Sequence, residues 1–210
     1  FQRHYRHPLA ADWLAIAEGM FRGCRNSSKP WEDSAGYQWI PMCHVMTYSH
    51  AAGDPTYSRD GHAAETGKVA LMCLDNFGHE PGFGDTGAFT GGSRFSNVLS
   101  ALGYATGDGR YRWALERHGK PFRGELHEPW YTDVPAAPPD DLLGVAVSYL
   151  PRPHYDLNGL NPQYFPTANV PFEEAFDKMT LRAGWEPEDD YLLLDGYSGG
   201  SHGHEDCNAI

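Results

Sequence analysis

The chain has 210 residues, a net charge of −12 and a pI of about 5.2, with 40% hydrophobic and 13% aromatic residues. That is enough apolar material for a core in one large domain or two small ones, and it excludes a disordered chain. The acidic balance excludes nucleic-acid binding through a general basic surface, and no long apolar run marks a membrane span.

In chain order, PLAADWLAIAEGMF (8–21) predicts a helix. Leu9, Trp13, Ile16, Ala17 and Met20 recur at helical spacing, and Pro8 suits a first turn. RGCRNSSKPW is a loop rich in turn formers. SAGYQWIPMCHVMTYSHAAG predicts a second helix with a kink near Pro41, and HAAETGKVALMCLDNFG a third that ends at Gly78. HEPGFGDTGAFTGGSRF is too glycine-rich for a regular element. FSNVLSALGYATGD and RYRWALERHG predict two shorter helices. PPDDLLGVAVSYLP predicts another, opened by aspartates and closed by proline.

The pattern changes after about residue 151. PRPHYDLNGLNPQYFPTANVP has no period and is expected to be a linker or long surface loop. KMTLRAGW and DDYLLLDGYSGG then predict strands, short apolar runs bounded by Gly, Pro and Asp. The expected order is mainly α, then β. Cys24, Cys43, Cys73 and Cys207 contain no CxxC pair and are too few for a disulfide scaffold.

The last ten residues, SHGHEDCNAI, concentrate chemistry. His202, His204 and Asp206 alternate, so extended backbone would turn them to one side, where such a trio can bind a metal. With FDKMTLRAGWEPEDDYLLLDG before it, this end resembles the heparinase II/III-like polysaccharide lyases. Two more places carry the resemblance: WEDSAGYQW (31–39), similar to the family's ExSxxY segment, and HEPGFGDTG (79–87), similar to its P-x-x-GD loop.

The resemblance implies an incomplete (α/α) toroid over residues 1–150, a linker over 151–170, and the first strands of an antiparallel β-sandwich over 171–210. It also implies β-elimination on uronic-acid polymers such as alginate or glycosaminoglycans, in the periplasm or outside the cell. Tyr37 is the expected acid and often the base. His202 is expected to handle the substrate carboxylate or the proton. His204 is expected to ligate a structural zinc whose other ligands lie beyond Ile210. Around Tyr37, the residues Pro41, His44 and Tyr48 are three or four apart. His44 lines the same cleft or packs in the core. Glu32 orients Tyr37 or caps the helix with Asp33 and Ser34. Gly84 and Asp85 shape a loop, while Arg94 and Arg182 are the candidate local cations. Trp31, Tyr37, Trp39 and Trp130 are candidate sugar-groove aromatics.

The family's Asn and adjacent His, which precede the Tyr segment, have no counterpart here. The chain is therefore expected to be a piece of an active parent protein, completed by the rest of that polypeptide or by another chain. A non-catalytic carbohydrate-binding module and a metal-dependent hydrolase built on the His–His–Asp end are the alternatives.

Overall fold

The computed structural model describes residues 6–28, 34, 36–80, 82, 93–118, 134–152 and 171–196. His202 and His204, with Asp206, lie outside the described residues, as do Trp31, Glu32, Asp33, Gly84, Asp85, Trp130 and most of the expected linker. Among the described residues there are six helices: α1 (Ala10–Cys24), α2 (Trp39–Ala52), α3 (Thr56–Arg59), α4 (His62–Met72), α5 (Ser93–Thr106) and α6 (Gly109–Arg117). Three strands, β1 (Gly144–Tyr149), β2 (Phe176–Arg182) and β3 (Tyr191–Asp195), form one antiparallel sheet in the order β1-β2-β3. None of these helices is long and apolar enough to cross a membrane.

The helices follow the expected pattern with three differences. In α1 the stripe that identified the helix faces outward: Leu9, Trp13, Ile16 and Met20 are 49%, 44%, 61% and 68% exposed, while Ala10 and Phe21 are buried. α2 starts at Trp39, so Pro41 falls in its first turn, where a missing N–H breaks no helical bond. α4 stops at Met72, short of Gly78. There the Asp75 carboxylate accepts the amides of Phe77 and His79 and holds a turn that competes with the helix.

The expected helix over 138–151 is a correction. Asp140–Leu142 is a single 3-10 turn, Gly144 takes a left-handed φ of 78°, and Gly144–Tyr149 is β1. Val145, Val147 and Tyr149 lie on one side and Ala146 and Ser148 on the other, a period of two that suits β-branched residues. KMTLRAGW and DDYLLLDG form β2 and β3 as expected.

Helices and sheet share one core. Trp39, Met42, Val45, Leu71, Leu74, Phe95, Leu99, Leu102 and Tyr111 are buried together with Ala146 and Trp185. α4 lies against β1 and β2. Polar ties reinforce the contact: Ser148 donates to Glu65 at 3.0 Å, and Lys68 donates to the Val147 carbonyl at 2.6 Å. The inner face also buries Lys178, whose ammonium lies 3.1 Å from Asp177 and 2.8 Å from Asp195. Among the described residues the outer face is lined by apolar side chains. Val145 pairs with Leu181 and Leu181 with Leu192, and Val147 pairs with Met179 and Met179 with Leu194. Val145 is 64% and Leu181 52% exposed.

Candidate functional site

α2 and α5 pack side by side and run parallel. At one end Arg94, in the first turn of α5, lies over the ring of Tyr37, just before α2, at 4.9 Å. At the other end His50 and Tyr104 meet edge to face at 5.0 Å. The two helix N-termini therefore lie together at Tyr37 and Arg94. Their partial positive charges add to the guanidinium there.

Tyr37 is half-buried and Arg94 exposed. The turn that carries Tyr37 is fixed from several sides. Gly36 has a φ of 86°, a conformation that favours glycine. The Gln38 amide donates to the Ser34 carbonyl at 3.1 Å, and the Ile40 amide to the Tyr37 carbonyl at 3.1 Å. Helix α2 has no side-chain cap at Gln38, and Ser34 contributes its carbonyl to the turn. The tie that a cap would supply comes from far along the chain. Glu80, 2% exposed, accepts the indole N–H of Trp39 and the backbone amide of Gly36. Burial pushes the Glu80 carboxyl up to about 7, against the lowering effect of those two bonds. On the other flank the Cys43 thiol donates to the Arg94 carbonyl at 3.8 Å.

Several expected site residues are placed differently. Trp39 is 2% exposed and packs on Phe95, so it is a core residue and not a sugar platform. His44 is exposed, which removes its core-packing role. Tyr48 packs toward α1, with its ring 4.7 Å from that of Phe21. Arg182 is not a cleft cation. It is 2% exposed, lies 3.7 Å from the Trp185 ring and 4.0 Å from the Tyr191 ring, and donates to Asn76 and the Leu74 carbonyl. Of the two arginines singled out in the sequence, the structure brings only Arg94 to Tyr37.

Glu80 escaped the sequence reading. It sits in a Gly- and Pro-rich stretch with no period, and its partners are 41 and 44 positions away in the chain. A surface pocket of about 340 Å³, lined by His50, Asp54, Tyr57 and Tyr104, lies at the C-terminal ends of α2 and α5. A helix of 14 residues separates it from Tyr37, roughly 20 Å. It does not belong to this site. Among the described residues, no group of three His, Cys, Asp or Glu side chains converges to hold a metal. Comparison of the chain with family models, with curated proteins and with solved structures finds no match.

Proposed function

We propose that the chain carries part of the active site of a polysaccharide lyase that acts on uronic-acid polymers by β-elimination. The observation that carries this reading is the pairing of Tyr37 with Arg94. It sets a phenol, a group able to transfer a proton, beside a guanidinium at two helix N-termini. Elimination at a uronate needs both. The cation neutralises the substrate carboxylate, which makes the proton on the adjacent carbon acidic and stabilises the enolate-like charge that forms when it leaves. The bond to the departing glycosidic oxygen then breaks as a carbon–carbon double bond forms, and that oxygen takes up a proton.

In this scheme Arg94 binds the carboxylate through its planar fork. Tyr37 protonates the leaving oxygen, and as phenolate it removes the carbon-bound proton. His202 completes the carboxylate contact or shares the proton transfer. A structural zinc on His204, with ligands from other strands, belongs to the same proposal, and no step runs through it. The toroid and sandwich architecture and an extracytoplasmic location rest on the resemblance in the sequence. The apolar outer face of the sheet supports the sandwich, because a second sheet is the usual cover for such a face.

The test is incubation of the full-length protein, supplied with zinc, with a panel of uronate polymers. The readout is the ultraviolet absorbance of the unsaturated sugar that elimination leaves. Elimination of one polymer, lost by a factor of ~100 or more in Tyr37→Phe, supports the reading. Sugar binding without elimination on any polymer replaces it with a binding module.

A further inference from the structure

We propose that Glu80 is the positioning residue of the Tyr37 turn: its carboxylate gathers the Gly36 amide and the Trp39 indole N–H, the donors on either side of Tyr37, and so holds the phenol against Arg94. The catalytic consequence rests on the lyase reading of Tyr37. The clamp itself does not.

The geometry supports this in three steps. First, Tyr37 sits in a turn that follows left-handed backbone at Gly36, and the two donors on either side of it are both taken by one remote side chain. Second, that side chain is a buried carboxyl, where an apolar residue of the same length would fill the space without the cost of desolvating an ionisable group. The carboxylate is what two convergent N–H donors need, since it is the side-chain form that accepts at both oxygens and donates nothing. Third, Glu80 and Arg94 bracket the glycine-rich stretch that the sequence analysis singled out. Whatever shape that stretch takes, both of its ends are tied to the Tyr37 turn, one through hydrogen bonds and one through the ring face.

The clamp depends on protonation. Among the described residues, the titratable and charged groups on the elements around Glu80 include Tyr37 on the turn, Arg94 at the start of α5, and His118 at the end of α6, whose Nδ1 meets the Gly78 carbonyl. The His79–Asp75 pair, at 3.6 Å, lies beside it in the chain. Among the described residues burial is the largest influence on the carboxyl, which changes state at about pH 7. Above that value both donors are held. Below it the protonated carboxyl carries a hydroxyl donor at one of the oxygens that face the two N–H donors. One N–H bond weakens and the turn loosens.

The experiment follows the indole N–H resonance of Trp39, assigned with Trp39→Phe, from acid to mildly alkaline pH in the full-length protein and in Glu80→Gln. The pH profile of uronate elimination is measured on the same samples. The expected result is a Trp39 resonance that titrates with a midpoint near 7 and is flat in Glu80→Gln. In that variant kcat for elimination falls on the order of 100-fold with little change in KM, and its acid limb near the same pH disappears. A flat wild-type resonance, or an unchanged titration in Glu80→Gln, overturns the clamp even if elimination depends on Tyr37. A titration abolished by Glu80→Gln without elimination of any polymer leaves the clamp standing and removes the lyase reading.

Discussion

Arg182→Lys separates a structural arginine from a substrate-binding one. The Arg182 guanidinium lies between the Trp185 ring at 3.7 Å and the Tyr191 ring at 4.0 Å, and it donates to the Leu74 carbonyl and to Asn76. Burial pulls it down to about 10, with Tyr191 and Asp75 opposing, so it stays charged at neutral pH. A desolvated cation–π contact contributes ~2 kcal/mol, and a hydrogen bond from a charged group ~1.5–3 kcal/mol. Those terms are not additive, and desolvation offsets part of them. Lysine keeps the charge and one donor but can neither lie flat between two rings nor bridge two acceptors. The expected loss is ~2–4 kcal/mol. Urea denaturation at neutral pH reads it as a midpoint lowered by ~1–2 M. Leu74 and Asn76 follow α4 while Trp185 and Tyr191 belong to the β2–β3 hairpin, so helix and sheet signals should shift together. A loss below ~0.5 kcal/mol, the range of ordinary surface changes, would refute the reasoning. A stable variant with a raised KM would instead return Arg182 to the substrate. Arg94→Lys should show the reverse pattern, near-unchanged stability and weakened substrate binding.

Three further outcomes are expected. Lys178→Met leaves the buried carboxylates of Asp177 and Asp195 without the ammonium that lies 3.1 and 2.8 Å from them; it should cost ~3–5 kcal/mol in denaturant unfolding, and less in acid, where carboxylates take up protons. Glu80 has a folded value of about 7 against an unfolded 4.5, so its contribution is complete below 4.5 and is lost as pH rises to 7, by ~3 kcal/mol; the stability difference between wild type and Glu80→Gln should slope across that window and be level outside it. Gly67→Ala would drive its Cβ into the Tyr111 hydroxyl and the ring carbon that bears it, both buried where α4 meets α6, and should cost ~1–3 kcal/mol by thermal unfolding.

What the sequence made legible follows from where each signal resides. Helices α2, α5 and α6 announced themselves through local spacing and end signals: Gly53 at a φ of 68° closes α2, and Asp108 caps α6 by accepting the Arg110 amide. In α1 the same spacing identified the helix but not what its stripe faces, because a period fixes a face and not its partner. The segment 138–151 was misread because a short apolar run is compatible with either element, and two aspartates ahead of it imitate a helix start. Val145 and Val147 flanking Ala146, behind a glycine, were the signal for a strand. Within the site, Tyr37 was legible because its context lies within a few residues. Glu80 was not, since its meaning comes from donors far away in the chain. Arg94 and Arg182 were equivalent as letters and differ only in burial, which depends on the whole fold.

The charge of the site can differ from that of the chain for the same reason. A net charge of −12 opposes an acidic polymer at long range, yet solvent and salt screen that repulsion beyond about 10 Å. In the proposed lyase, the contact with a uronate carboxylate is shorter than that. Among the described residues, the Arg94 guanidinium lies 4.9 Å from the Tyr37 ring and the N-terminal ends of two parallel helices lie beside it, all positive. Glu80, the acidic residue tied to this turn, is buried and has both neighbouring N–H donors directed at it. Its charge is spent holding the turn and does not face solvent. An anionic ligand arriving from solvent therefore meets the guanidinium before it meets the carboxyl.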